Sequence, residues 1–238
     1  MAADLLTPLA EAPHQAAVLL DVDGTLAPIV ARPELARLPE STRAELRRLA
    51  GRYRLVACLS GRSGSDARRL VGVEGVVVVG NHGLELDPRA AELEAAVGDF
   101  RREIARPVED KGLSLTYHYR DARDESRAIA ELEGVAAKAQ AAGLVARWGR
   151  KVLEIRPPVD ADKGTAVKSL LGSSGATRAL YAGDDTTDLD AFAGLVEASL
   201  ETAIRIAVDS PEAPPELLAA ADLIVEGPAE LVALLGRL

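Results

Sequence analysis

The sequence predicts an α/β protein: a parallel sheet flanked by helices, interrupted by an α+β insertion. Three observations carry this. Short apolar runs alternate with longer helical patterns toward both ends of the chain. Between about 88 and 158 the strands instead alternate apolar and polar residues, as strands with one solvated face do. After this stretch the first texture returns, so the sheet domain comprises residues 1–87 and 159–238, and the insertion 88–158.

Each element follows from its pattern. "AAVLL", from Ala16 to Leu20, reads as a buried strand. "LPESTRAELRRLAGRY" reads as a helix with Ser41 or Thr42 near its cap, Leu46 and Leu49 on one face and Gly51 closing it. "RLVACLS" is the next strand, "GSDARRLVG" a short helix and "GVVVVGNHG" a third strand. In the insertion, "PRAAELEAAVGDFRREIAR" and "DARDESRAIAELEGVAAKAQAAG" are helices and "GLSLTYHYR" is a half-exposed strand. "LVARWGRKVLEIRP" reads as two strands around a tight turn at Trp148–Gly149. Beyond it, "KGTAVKSLLG", "TDLDAFAGL" and "PAELVALLGRL" are helices, and "RALYAGDD", "TAIRIAVD" and "ADLIVEG" are strands. "SPEAPPE" near residue 210 reads as a surface loop.

Bulk properties narrow the function classes. The 238 residues are 48% hydrophobic, which excludes a disordered chain. Aromatics are 3%, so the core is built from Ala, Val, Leu and Ile. A net charge of −9 argues against a nucleic-acid or anionic-membrane partner, which needs a basic surface. Cys58 stands alone in an apolar run and is expected to be buried and inert. The stretch "MAADLLTPLAEAPHQ" lacks the pattern of a signal peptide, and no apolar run reaches membrane-spanning length. A cytoplasmic monomer acting on a small molecule is the expectation.

In open parallel sheets ligands bind beyond the carboxyl ends of the strands. Polar residues follow the last apolar residue of four strands here: Asp21-Val22-Asp23-Gly24-Thr25, Ser60-Gly61-Arg62, Gly80-Asn81-His82-Gly83 and Gly183-Asp184-Asp185-Thr186-Thr187-Asp188. Asp21 and Asp23, two apart, point the same way in an extended strand. With Asp184, Asp185 and Asp188 they suit a hard divalent cation such as Mg2+; without a Cys/His cluster, zinc is not expected. Lys163, at the start of a helix, offsets charge on a bound anion and on a carboxylate nucleophile. Thr25 and Ser60 offer donors to phosphate oxygens. Such a set fits phosphoryl transfer to a carboxylate.

"DVDGT", "LSGR", a Lys-Gly helix start and "GDDTTD", in that order, resemble the four motifs of the haloacid dehalogenase-like phosphatases. The resemblance implies a Rossmann-like core with an inserted cap domain that selects substrate. It implies Asp21 as nucleophile, Asp23 as general acid and base, and Ser60 and Lys163 as phosphate ligands. Mg2+ would be held by Asp21, the Asp23 carbonyl and Asp184, with Asp185 and Asp188 supporting it directly or through water. Finer features, "SGR", "GNHGLE", "HYR", "GRKVLEIRP" and "DKG", are similar to those of trehalose-6-phosphate phosphatases. This implies trehalose 6-phosphate as substrate, with Lys151 and Glu154 binding sugar hydroxyls. Thr25, Gly61, Arg62, Asn81, His82, His118 and Arg120 are further substrate-binding candidates. The fourth motif departs from the family's "TDE": Leu189 follows Asp188, with Asp190 next. A phosphatase of sucrose 6-phosphate or a glycosyl-phosphoglycerate, a phosphomutase, and a non-catalytic sugar-phosphate-binding module stand as alternatives.

Overall fold

The computed structural model describes residues 2–30, 32–149, 151–210 and 213–238. The chain forms two compact units, Met1–Gly83 with Ala161–Leu238, and Leu84–Asp160.

The first unit is a six-stranded, wholly parallel sheet. Its strands are β1 (Ala16–Asp21), β2 (Leu55–Leu59), β3 (Val77–Val79), then, after the second unit, β8 (Arg178–Gly183), β9 (Thr202–Asp209) and β10 (Leu223–Glu226). The spatial order is β10-β9-β8-β1-β2-β3. Order thus runs outward in both directions from β1, which makes the carboxyl ends of β1 and its neighbours the expected ligand crevice. Around the sheet lie α1 (Ala2–Glu11), α2 (Glu40–Ala50), α3 (Gly64–Val71), α6 (Lys163–Ser174), α7 (Thr187–Glu197), α8 (Pro215–Ala220) and α9 (Gly227–Leu235).

The period-2 alternation of a strand sorts β1 between two cores. Val18 and Leu20 join one with Leu9 of α1, Leu46 and Leu49 of α2 and Leu231 and Leu235 of α9. Ala17 and Leu19 join the other with Val167 and Leu171 of α6 and Phe192 and Leu195 of α7. Both faces are covered, which is why the strands read as unbroken apolar runs. The same parity aims Asp21 at the α6–α7 side. Cys58 is buried in the first of these cores, and burial, with the nearby Asp21 charge, pushes its thiol up to about 12.

The second unit carries an antiparallel sheet of order β4-β5-β7-β6. Its strands are β4 (Glu109–Asp110), β5 (Leu115–His118), β6 (Val145–Gly149) and β7 (Val152–Arg156). Helices α4 (Ala90–Glu103) and α5 (Glu125–Ala141) supply Val97, Phe100, Leu132 and Val135 to a separate core with Leu115, Tyr117, Leu153 and Ile155.

The structure departs from the local sequence pattern at five places. The N-terminal stretch, for which the sequence suggested no element, forms α1 and buries Leu6 and Leu9. Helix α2 begins after Pro39 without a side-chain cap, and Ser41 and Thr42 lie inside its first turn; Pro39 provides an extended backbone that ends the preceding segment. The β6–β7 turn falls two residues past Trp148–Gly149. Gly149 still pairs with Val152, and Lys151, in the turn before Val152, has φ +62°. Two-residue hairpin loops demand such positive φ to match strand twist; Arg150 lies outside the described residues. Strand β5 is not half-exposed: Leu115, Thr116 and Tyr117 are all buried, and its polar Thr116, paired with Glu109 and Glu154, is 4% exposed. Finally, the Pro-rich stretch after β9 leads into α8, with Pro215 at its start where a missing N–H costs nothing; Pro211 and Glu212 lie outside the described residues.

Candidate active site

The carboxyl ends of β1, β2, β8 and β9 converge in the first unit. Asp21 is the last residue of β1, and its carboxylate accepts a 2.7 Å hydrogen bond from Lys163 Nζ. Lys163 is the first residue of α6 and is 1% exposed. A second 2.7 Å bond joins its ammonium to Asp188, and Asp185 lies 3.8 Å away. Asp162 and Thr165 close a capping box around the Lys163 backbone, so the helix start that carries the ammonium is itself fixed.

Asp188 is fully buried, and four donors hold it. Its Oδ1 accepts from Lys163 Nζ and from Tyr181 Oη at 2.7 Å. Its Oδ2 accepts from the backbone N–H groups of Asp184 and Asp185, at 2.8 and 2.9 Å. Asp188 thereby folds the turn after β8 and aims Asp184. The Asp184 carboxylate accepts from Thr25 Oγ1 and Ser210 Oγ, each at 3.1 Å. Gly24, at φ +87°, leaves the space this carboxylate fills, since a Cβ there would run into it. Asp185 accepts from the backbone and hydroxyl of Thr187.

Oxygens of Asp21, Asp184 and Asp188 lie within 4.8 Å of one another. Burial raises the Asp21 carboxyl well above its ordinary value; Lys163 opposes this, and Asp188, Asp185 and Asp184 add to it. Burial also raises Asp188, against Lys163. Asp184 is pushed up to about 7 by burial and by the charges of Asp188 and Asp185. Burial alone would raise Asp185, but Lys163 and the Thr187 donors hold it low. Burial works against the Lys163 ammonium, yet Asp188, Asp21 and Asp185 outweigh it and keep Lys163 charged. One ammonium among four carboxylates leaves the site short of positive charge.

Asp23 diverges from Asp21. It lies past the strand, and its carboxylate is gripped by the Arg62 guanidinium, with Nε at 2.7 Å and Nη2 at 2.6 Å. Asp21 and Asp23, which an extended strand would aim alike, are thus held by different cations. Ser60, 1% exposed, follows β2, and its hydroxyl accepts from the Arg62 backbone. Gly61 lacks a Cβ where the His82 ring lies. Asn81 and His82 have positive φ, 51° and 52°, in a tight loop whose backbone bonds to Arg62 and Ser60.

The candidates of the second unit are arranged differently. Glu154 stands across from Thr116 and Arg147, so these three share one sheet face. Lys151 turns instead to Glu125 at the start of α5, and its ammonium lies 6.0 Å from the centre of the Tyr119 ring. It makes no cross-strand pair with Glu154. The left-handed backbone at Lys151 breaks the alternation that spacing alone would suggest. His118 pairs with Glu109 at 2.7 Å, and Arg120 is exposed.

Two residues escaped the sequence reading. Ser210 directly follows β9, so the rule that located the other strand-end groups also applies to it; the prolines beyond it masked the signal. Tyr181 lies within β8, and nothing in the spacing tells that its hydroxyl meets Asp188. At the departure in the fourth motif, Leu189 packs against the α6–α7 core.

The parallel sheet with its carboxylate–lysine centre defines a haloacid dehalogenase-like fold. A haloacid dehalogenase-like hydrolase from Bacteroides thetaiotaomicron superposes with a TM-score of 0.62 at 16% identity, over 93% of this chain and 98% of that one. The C-terminal domain of C. albicans trehalose-6-phosphate phosphatase superposes with a TM-score of 0.69 at 21% identity, over 99% and 96%. The trehalose-phosphatase family model matches residues 19–97 and 101–219, and the chain belongs to that family. The trehalose-phosphate phosphatase of Mycobacterium marinum is 34% identical over 245 residues, which cover 93% of this chain and 61% of that protein. Other curated relatives are matched over about half of their length or less; for the trehalose-phosphate phosphatase of Mycolicibacterium paratuberculosis the match covers 50% of that protein and 74% of this chain, at 40% identity. No helix among the described residues is long and apolar enough to cross a membrane.

Proposed function

We propose that the chain is a Mg2+-dependent phosphatase that hydrolyses trehalose 6-phosphate through an aspartyl-phosphate on Asp21. The observation that carries this reading is the buried Asp21–Lys163–Asp188 centre beside Asp184, in a chain of the trehalose-phosphatase family.

The residues fit a hard divalent cation. Asp188 already accepts four hydrogen bonds, so it serves the site by holding Lys163 and the Asp184 turn. Asp21 and Asp184 keep lone pairs for a cation, with the Asp23 carbonyl as a third ligand and Asp185 as outer support. When bound, the cation neutralises charge on the phosphate and on the Asp21 carboxylate.

In the first half-reaction an Asp21 oxygen forms a bond to phosphorus while the bond from phosphorus to the sugar oxygen breaks. The Asp23 carboxyl gives its proton to that leaving oxygen. Lys163 and Ser60 bind the transferring group, whose charge the ammonium offsets. In the second half, water attacks phosphorus, one of its protons passes to Asp23, and the acyl-phosphate P–O bond breaks to restore Asp21. Thr25, Gly61, Arg62, Asn81 and His82 line the phosphate side of the site. The second unit acts as the substrate-selecting cap, with Lys151, Glu154, His118 and Arg120 as its contributions to sugar recognition.

The test is phosphate release from trehalose 6-phosphate, glucose 6-phosphate and sucrose 6-phosphate, each with Mg2+ and with EDTA. The expected result is Mg2+-dependent release, strongest from trehalose 6-phosphate. Release from another of the three would reject the substrate, and release from none would reject the activity.

A further inference from the structure

We propose that Arg62 is a positioning residue for Asp23: its guanidinium fork sets the orientation from which the Asp23 carboxyl meets the leaving-group oxygen. The proposal rests on the phosphatase reading above and adds to it a task for Arg62 other than phosphate binding.

Asp188 and Asp184 are each held by more than one residue. Asp188 has four donors and Asp184 two hydroxyls. Asp23 differs. Among the described residues, the only hydrogen bonds to its side chain come from Arg62 Nε and Nη2, at 2.7 and 2.6 Å. Its side chain is 39% exposed, so packing does not fix its rotamer, whereas that of Arg62 is 17% exposed. Two parallel bonds to one carboxylate fix the carboxylate plane as a single bond cannot.

Arg62 is itself anchored. Its N–H donates to Ser60 Oγ at 3.2 Å, and its carbonyl accepts from the Asn81 N–H at 2.7 Å. The Gly61 before it is packed against the His82 ring. The fork takes one lone-pair direction on each Asp23 oxygen and leaves the other to carry the proton that passes to the leaving oxygen.

The consequence is specific to leaving-group chemistry. A sugar alkoxide is a poor leaving group and needs a positioned acid, whereas p-nitrophenolate leaves without one. The parameter kcat/KM covers the steps through the first phosphoryl transfer, so later hydrolysis of the aspartyl-phosphate does not enter it. Acid catalysis is worth roughly 100- to 10,000-fold. In Arg62→Ala, kcat/KM for trehalose 6-phosphate should fall at least about ten times further than for p-nitrophenyl phosphate. Arg62→Lys, which keeps the charge but loses the fork, should not restore the ratio. In an Asp23→Asn background, adding Arg62→Ala should change the ratio by less than about three-fold, as required for a residue that acts through Asp23.

Equal losses on both substrates would overturn the proposal and return Arg62 to phosphate binding. A ratio that falls as far in the Asp23→Asn background would overturn it in favour of a direct contact between Arg62 and the sugar. A wild-type protein that releases phosphate from neither substrate would sink the phosphatase reading and the positioning role together.

Discussion

At the scale of residues, Lys163 concentrates the energetics of the first unit. It is a buried ammonium between two buried carboxylates, Asp21 and Asp188, each 2.7 Å away. Breaking a buried pair from one side leaves uncompensated charge, which costs about 3–5 kcal/mol. Lys163→Met should therefore lower the urea-unfolding free energy by about that amount and abolish phosphate release. A loss below 1 kcal/mol would show that the site sheds the charge by protonating a carboxylate. Asp21, Ser60, Lys163 and Asp184 were legible because each follows a strand or opens a helix, where polar residues are conspicuous against apolar runs. Tyr181 was not, because a tyrosine inside a buried strand looks like core. Its hydroxyl finds Asp188 only when the turn after β8 folds back over the strand end.

At the scale of elements, α6 delivers the ammonium, and its first turn decides how well. The "DKGT" run contains a capping box, in which Asp162 accepts from the Thr165 N–H at 2.7 Å and Thr165 Oγ1 accepts from the Asp162 N–H at 2.9 Å. Asp162→Ala should cost about 1 kcal/mol in stability. It should also reduce kcat through the adjoining Lys163, while Asp162→Asn, which keeps the acceptor, should retain most of both. Thermal melts and initial rates on the two variants check this. The hairpin β6–β7 shows where element reading ran out. Both strands were evident from alternation, but the turn sat two residues later than expected. Turn position is set by cross-strand register, Gly149 opposite Val152, which no window on a single strand contains. The shift matters because it places Lys151 in the loop, with its ammonium at Glu125.

At the scale of the whole molecule, the first unit gathers negative charge that its own lysine does not balance. A divalent cation should therefore stabilise the native chain. At Mg2+ concentrations near 100 times the dissociation constant, linkage gives about 2.7 kcal/mol. For a chain of this size that is a rise in Tm of roughly 5–10 °C. EDTA should remove the rise, and Asp184→Asn should weaken it at equal Mg2+; an unchanged Tm in wild type would contradict the cation site. The sequence by itself determined the parallel sheet, the α+β insertion and the chemical character of the strand ends. Those are local properties: hydrophobic period, apolar run length, and polar residues placed just past the last apolar one. Only the tertiary structure decided the pairings, Asp21 and Asp188 with Lys163, Asp23 with Arg62, Asp184 with Thr25 and Ser210. Asp21 and Lys163 are 142 positions apart, and Thr25 and Asp184 159 apart. Such partners meet because parallel strands start from one side and end on the other, so that distant segments deliver their polar ends to one edge. Which carboxylate then takes which cation depends on strand order and on the turn after each strand, and neither is written in the residues that do the binding.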